Sequence, residues 1–179
     1  MLAVNTIAFW MPSLIHTAGV ARDSHVGMLS AIPYLAGAVF MIAVGRSSDR
    51  HCERRWHLSV PLLMAAAGLA LVGLFPQSFW LVMFGLLVSC MGASTTLPMF
   101  WQLPPAFLSM RAQAAGIALI SSIGNLASFF APYIVGWFRD TTQSASLALY
   151  LLAVLITIGA FVVLRLPAAI VNPQPIAKS

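Results

Sequence analysis

A strongly basic stretch of thirteen residues, 45–57, interrupts the otherwise apolar middle of this chain. It carries four arginines, whereas residues 26–45 and 58–110 on either side contain no Lys, Arg, Asp, Glu or His. An arginine at the centre of a bilayer costs roughly 2.5–3.5 kcal/mol on insertion scales, so a segment with four of them lies in water. The pattern therefore predicts membrane-spanning segments on both sides of a water-exposed basic connection.

The composition agrees with a membrane protein. Hydrophobic residues make up 60% of the chain and charged residues only 7%, against roughly 25% charged in soluble domains. The net charge of +5 does not indicate nucleic-acid binding, because there is no water-exposed domain to carry such a site. The two cysteines, one in the basic stretch and one in an apolar run, are too few for a disulfide framework.

Six apolar segments follow one another, and we expect each to be helical. Five are long enough to span a bilayer: 26–45, 58–75, 79–100, 114–138 and 147–164. The first, 1–15, would reach only about 22 Å along a helix axis against a hydrocarbon core of about 30 Å, so we interpret it as the second part of a span whose beginning is missing. The predicted fold class is an all-α membrane protein, a six-helix bundle with a truncated first helix. Residues 167–179 are expected to form a cytoplasmic tail without fixed structure.

Positive charges are distributed unevenly between the alternating connections. Seven of the nine Lys and Arg residues fall on one side, and only Arg22 and Arg139 on the other. Cytoplasmic connections carry the excess of Lys and Arg in membrane proteins. The basic connection 46–57, the connection that contains Arg111 and the C-terminus are therefore predicted to be cytoplasmic.

No Asp, Glu, Lys or Arg lies well inside any span, so the candidate substrate contacts are uncharged. Asn125 is the strongest candidate, because an amide in mid-span must find a partner in the bundle interior or in a cavity. The alternative is a hydrogen bond to a neighbouring helix at Ser94 or Thr95. Ser121 precedes Asn125 by four residues and shares its helical face. The other candidates, each with packing or interfacial placement as its alternative, are Tyr34, Trp101 and Gln102.

Three stretches resemble one transporter family. The family is that of the major facilitator transporters, in their anion:cation symporter group. The first stretch resembles that group's eighth and ninth helices with their joining loop; its sequence is PYLAGAVFMIAVGRSSDRHCERRWHLSVPLL. The end of that group's tenth helix is similar to FWQLPPAFLS, and its eleventh helix to AAGIALISSIGNLASFFAPYIVGWFRD. The resemblance covers roughly residues 9–167 and implies the C-terminal half of such a carrier. One departure is Cys52, where the family usually has Gly, which relaxes the expected turn.

The resemblance gives the basic connection a gating role. It implies that Gly45 permits close contact with a neighbouring helix and that Asp49 lies near a helix N-terminus, where a carboxylate gains about 0.3–1 kcal/mol. Pairing with acidic or carbonyl groups across the cytoplasmic face is implied for Arg50, Arg54 and Arg55. Such contacts would hold the outward-open state. The alternative is a connection that only sets orientation.

The resemblance also implies a function that this chain does not complete by itself. We expect proton-coupled symport of a small organic anion (sugar acid, tartrate or aromatic carboxylate) by alternating access in the cell inner membrane, with ionisable groups supplied by an N-terminal half. Neither a metal, a cofactor nor a nucleic acid is expected. An enzyme is not indicated, because the sequence contains no H-E-x-x-H, no G-x-S-x-G and no buried carboxylate pair. The alternative is a truncated, non-transporting remnant or a membrane assembly protein.

Overall fold

The computed structural model describes residues 2–20, 22–142 and 145–172, which form helices joined by short connections. In chain order the helices are α1 Leu2–Thr17, α2 Asp23–His51, α3 Arg55–Leu74, α4 Phe79–Phe100, α5 Pro104–Phe107, α6 Met110–Thr142, α7 Ser146–Arg165 and α8 Ala168–Val171. Five of these helices, α2, α3, α4, α6 and α7, are long and apolar enough to cross a membrane. The expected all-α, multi-pass membrane architecture is confirmed, with the 16-residue α1 as its short first helix.

Two helices extend well beyond the apolar runs from which they were predicted. α2 continues to His51, so that Arg46, Asp49 and Arg50 are helical and only residues 52–54 separate α2 from α3. The prediction that 46–57 is a loop is therefore wrong for most of its length. Backbone hydrogen bonds continue a helix into water as readily as in lipid, and arginine is a good helix former. α6 likewise has 33 residues, about 50 Å, although only 114–138 were predicted to be helical.

The C-terminal tail also differs from the expectation. Residues Ala168–Val171 form the single helical turn α8, and the side chain of Val171 is only 1% exposed. Val171 packs in a small apolar cluster with Leu58, Met99 and Leu103. The prediction of a tail without fixed structure is wrong for these residues, because the tail buries an apolar side chain. The remainder of the predicted tail, 173–179, lies outside the described residues.

The tightest packing in the bundle joins α3 to α4 and α7. Gly68 of α3 lies so close to α4 that an added Cβ would stand 2.5 Å from the carbonyl oxygen of Gly85. At the same crossing the Ser89 hydroxyl donates a hydrogen bond to the Ala65 carbonyl oxygen (3.2 Å). Small residues let two backbones approach closely within a membrane, where van der Waals contact and hydrogen bonds hold helices together. The α3–α4 pair is thus the rigid centre of the fold.

Helices α2 and α6 are much less buried than this centre. In the most apolar 18-residue stretch of each helix, 11% of the residues are buried for α6 and 17% for α2, compared with 50% for α3. α6 packs mainly on α1, and its first half is separated from α4 and α7 by an apolar cavity of about 300 Å³. The large apolar side chains of α6 that are exposed are Met110, Leu119, Ile123, Leu126, Phe129, Phe130, Tyr133, Ile134 and Trp137. Both helices therefore present long faces that no other described part of the chain covers.

Candidate functional site

The turn between α2 and α3 is a compact, hydrogen-bonded structure at what we call the basic end of the bundle, the end that carries this turn, the α4–α6 connection and α8. Cys52 ends α2 in the left-handed conformation, with φ of 49°. The backbone N–H of Glu53 donates to the Ser48 carbonyl (3.1 Å), and that of Cys52 donates to the Asp49 carbonyl (3.4 Å). A glycine commonly occupies this position at helix ends because it has no Cβ. Cys52 keeps the turn at the cost of backbone strain.

Cys52→Gly is expected to stabilise the chain by about 1 kcal/mol. A left-handed conformation costs an L-residue roughly 1–2 kcal/mol, and part of that gain is lost to the greater freedom of glycine in the unfolded chain. Thermal unfolding of the purified chain in detergent measures the change. Cys52→Ser is the control, because serine keeps a Cβ and should leave the melting temperature close to that of the wild type. A lower melting temperature for Cys52→Gly would contradict the strain argument.

Glu53 organises the start of α3. Its carboxylate accepts hydrogen bonds from the backbone N–H groups of Trp56 (2.9 Å) and His57 (3.3 Å) and lies 2.9 Å from Nδ1 of the His57 ring. The other ring nitrogen of His57 lies 3.0 Å from the Ser47 hydroxyl on α2. Burial raises the pKa of the Glu53 carboxyl, but the hydrogen bonds from Trp56 and His57 outweigh it, so the net pKa is below its ordinary value. The carboxylate is therefore charged at neutral pH and bridges the two helices through His57.

Two of the residues expected to act in gating, Gly45 and Asp49, do not make the expected contacts with the described residues. A Cβ added at Gly45 would lie 3.6 Å from Cε of Met99, an ordinary contact, so close helix approach is not required there by the described residues. Asp49 lies exposed in the last turn of α2, and Glu53 rather than Asp49 occupies the N-terminus of α3. The close helix contact expected for Gly45 and the helix N-terminus expected near Asp49 stay predictions.

The arginines of the basic end differ in their surroundings. Nη1 of Arg55 donates to the carbonyl oxygen of Leu166 at the end of α7 (3.4 Å). The Nε atoms of Arg54 and Arg55 are buried and have no hydrogen-bond partner among the described residues. Arg50 is exposed in the last turn of α2. The gating role that the resemblance implies for these three side chains stays a prediction.

Asn125, the main substrate candidate, lies exposed near the middle of α6. The neighbouring-helix alternative is not formed in the described structure: Asn125 has no hydrogen bond to Ser94 or Thr95, whose hydroxyls lie 3.8 Å from Cys90 Sγ and 2.8 Å from the Met91 carbonyl oxygen, respectively. An unsatisfied amide in hydrocarbon is costly, so a face that carries one is adapted to a polar partner or to water. The role of Asn125 in substrate contact stays a prediction, and the exposure of its amide is the observation on which that prediction depends.

The other four candidates are spread over three parts of the bundle. Ser121 shares α6 with Asn125, but its hydroxyl donates to the carbonyl of Ile117 one turn earlier (2.7 Å). Tyr34 is 42% exposed on α2. Trp101 packs edge to face on Phe100, with ring centroids 5.6 Å apart, and Oε1 of Gln102 is buried without a partner among the described residues. In the described structure these four candidates thus lie on α6, on α2 and just after the end of α4.

A polar pocket at the opposite end of the bundle was missed by the sequence analysis. It has a volume of about 280 Å³ and lies between α1, the α3–α4 turn and the α6–α7 connection. Arg139 of α6 donates from Nη1 to the hydroxyl of Ser13 on α1 (2.7 Å) and lies over the Trp10 ring, 5.5 Å from its centroid. Asp140 also lines this pocket. From the sequence, Arg139 could be interpreted only as a charge that sets orientation, because no local pattern links it to Ser13, which lies 126 residues away.

Comparisons with known proteins agree on one family. The family model described as Major Facilitator Superfamily matches residues 1–178. A putative metabolite transport protein NicT of Pseudomonas putida is 37% identical over 172 residues, which are 96% of this chain and 39% of that protein. A putative tartrate transporter of Agrobacterium vitis is 40% identical over 161 residues, 90% of this chain and 35% of that protein.

A more distant relative is a probable L-galactonate transporter of Escherichia coli, which is 29% identical over 164 residues, 84% of this chain and 35% of that protein. No solved structure matches the chain. The chain thus spans less than two fifths of the length of these three relatives.

Proposed function

Since the chain belongs to the major facilitator superfamily, we propose that it forms part of a membrane transporter for a small organic anion, with Asn125 among the groups that contact the substrate. The class of substrate is suggested by two relatives whose names specify tartrate and L-galactonate, both carboxylates with several hydroxyl groups. A sugar acid, tartrate or an aromatic carboxylate offers oxygen atoms that an amide, a hydroxyl or an indole N–H recognises.

One observation carries this proposal: an amide that is exposed at mid-span and has no hydrogen-bond partner among the described residues, whereas the nearby Ser121 and Ser122 hydroxyls donate to carbonyl oxygens of their own helix. The exposed Phe129 follows Asn125 by four residues and therefore lies next to it on the same face of α6. In a lipid-facing position the amide would be destabilising, whereas facing a water-filled transport pathway it binds an anionic substrate. Tyr34 on the similarly uncovered α2 adds a hydroxyl to that pathway. Trp101 and Gln102 mark its basic end.

Coupling requires groups that these spans do not supply. The described helices carry no Asp, Glu, Lys or Arg well inside their apolar runs, so the group that takes up the coupling proton and a cation for the substrate carboxylate come from an N-terminal half. The two halves rock around a site near the membrane midplane, as in other transporters built from structural repeats. The basic end, with its excess of arginine, faces the cytoplasm of a cell whose inner membrane holds the carrier.

A chimeric transporter tests the proposal. This chain replaces the segment of the Agrobacterium vitis relative that matches it, and uptake of labelled tartrate is measured in cells. We expect uptake well above that of cells with the empty vector, abolished by a protonophore and insensitive to removal of sodium. A panel of labelled sugar acids and aromatic carboxylates then ranks substrates. The proposal fails if the chimera inserts as well as its parent but accumulates none of these anions.

Expression of this chain without a partner is the control. We expect no uptake from it, because the ionisable groups are missing. Robust uptake by the chain alone would refute the requirement for an N-terminal half. Insertion of each protein is checked by the yield of the membrane fraction, so that absence of uptake is not confused with absence of protein.

A further inference from the structure

Two side chains that lie far apart in the sequence, Glu53 and Asn172, cap the first turn of α3. The Glu53 carboxylate accepts hydrogen bonds from the backbone N–H groups of Trp56 and His57, the second and third residues of the helix. The side-chain oxygen Oδ1 of Asn172 accepts hydrogen bonds from the backbone N–H groups of Arg54 (2.9 Å) and Arg55 (3.3 Å). The first four N–H groups of a helix have no partner inside the helix, and side-chain oxygens that accept from them hold the helix start in place. Asn172 is thus part of the cap although it lies more than 110 residues away.

The segment that carries Asn172, residues 167–172, is itself firmly seated, and we call it the C-terminal strap. Just before it, the Leu166 carbonyl accepts a hydrogen bond from Nη1 of Arg55 (3.4 Å). Within it, Val171 is almost completely buried against Leu58 of α3 and Met99 of α4. The strap therefore joins the end of α7 to the start of α3 and to the end of α4 at the basic end.

The α2–α3 turn depends on such bonds, because α2 and α3 hardly touch each other beyond it. α3 is fixed by tight packing on α4 and α7, whereas α2 packs mainly on α4. The direction in which α2 leaves α3 is therefore set by the packing of α2 on α4 together with the turn, the Glu53–His57–Ser47 hydrogen bonds and Asn172. Among the groups that hydrogen-bond at the turn, Asn172 alone belongs to a segment outside the α2–α3 region.

We propose that Asn172 is a positioning residue for gating: the C-terminal strap holds the α2–α3 turn in one orientation, and its release permits the movement of the basic end. The gating part of this inference rests on the proposed function, whereas the positioning of the turn does not. Release of the strap exposes the apolar contacts of Val171 and leaves the backbone N–H groups of Arg54 and Arg55 to water. Both changes cost free energy, so the seated strap is more stable than the released one.

Reactivity of Cys52 reports directly on the turn, because this thiol lies within it and is half-buried. The full chain is reconstituted in lipid nanodiscs, where both membrane faces are open to reagent, and labelled with a polar maleimide. Cys90 is 2% exposed in α4, and a Cys52→Ala variant measures its background. We expect Asn172→Leu to raise the Cys52 labelling rate about tenfold, since two capping hydrogen bonds are lost.

Conservative and independent variants separate positioning from general damage. Asn172→Asp keeps an acceptor oxygen at a helix N-terminus and is expected to label at or below the wild-type rate. Val171→Ser unseats the strap without touching the cap and is expected to raise the rate as Asn172→Leu does. A wild-type rate for well-inserted Asn172→Leu overturns the proposal. If Asn172→Leu does not insert, Val171→Ser decides in its place by the same criterion.

Uptake by the chimera then tests the gating step. We expect Asn172→Leu to change the maximal uptake rate at least about threefold with little change in apparent substrate affinity, and Asn172→Asp to restore it. Faster Cys52 labelling with unchanged uptake in a working chimera overturns the link to gating. If the chimera transports nothing, the labelling rates still decide whether Asn172 positions the turn, so failure of the proposed function is recognised separately.

Discussion

Gly68→Ala is expected to lower the melting temperature of the purified chain by about 3–10 °C, although it adds only one methyl group. The new Cβ would lie 2.5 Å from the Gly85 carbonyl oxygen and 2.7 Å from the Ser89 backbone nitrogen, both backbone atoms of α4 that cannot rotate away. Overpacking of this kind costs typically 1–3 kcal/mol, which corresponds to that shift for a chain of this size. The methyl group forces apart α3 and α4, the most closely packed pair in the bundle.

Gly159→Ala is the matched control. Gly159 also lies inside a predicted span, on α7, but nothing stands within 4 Å of its added Cβ. Replacing a glycine by alanine inside a helix is favourable by up to about 1 kcal/mol when space is free, so this variant is expected to melt at or above the wild-type temperature. Both measurements use thermal unfolding followed by tryptophan fluorescence in the same detergent. Equal effects of the two substitutions would contradict the packing described for α3 and α4.

The number and position of the spanning helices could largely be predicted from the sequence alone. Its apolar runs and its basic stretch predicted the spanning helices and the short first helix, because hydrocarbon excludes charge irrespective of tertiary structure. The ends of helices were predicted less well. Arg46, Asp49 and Arg50 were assigned to a loop on polarity, yet polarity decides where a helix leaves the membrane and not where its hydrogen bonds stop.

The candidate site was harder to predict because its parts meet only in three dimensions. The bond between Arg139 and Ser13, and the cap that Asn172 forms on α3, join residues more than 110 positions apart. No local pattern in the sequence indicates such partners. Conversely, the spans of α2 and α6 contain no charged side chain, so charge could not tell which of their faces packs inside this chain. The structure leaves the Asn125 face of α6 uncovered, which is the observation that the proposed transport pathway uses.

The substitution Asn125→Leu in the chimeric transporter is expected to reduce tartrate uptake about 10- to 100-fold while leaving its insertion unchanged. A hydrogen bond from an amide to a charged group contributes about 1.5–3 kcal/mol, and losing it from the transport pathway lowers the rate by that factor. Insertion is expected to be retained because leucine suits a span better than asparagine, and because no described residue of this chain depends on a hydrogen bond from Asn125.

Thr157→Leu separates this effect from a general response to removing a polar group from a span. Thr157 also lies in mid-span, on α7, but its hydroxyl is satisfied by the Ala153 carbonyl one turn earlier (2.7 Å). Uptake by this variant is expected to stay within about twofold of the parent chimera. Asn125→Gln, which keeps the amide on a longer side chain, should recover part of the uptake and shift the preference toward smaller carboxylates. If Asn125→Leu and Thr157→Leu reduce uptake equally, Asn125 has no special part in substrate contact, and the exposed face of α6 has to be assigned to packing against another helix.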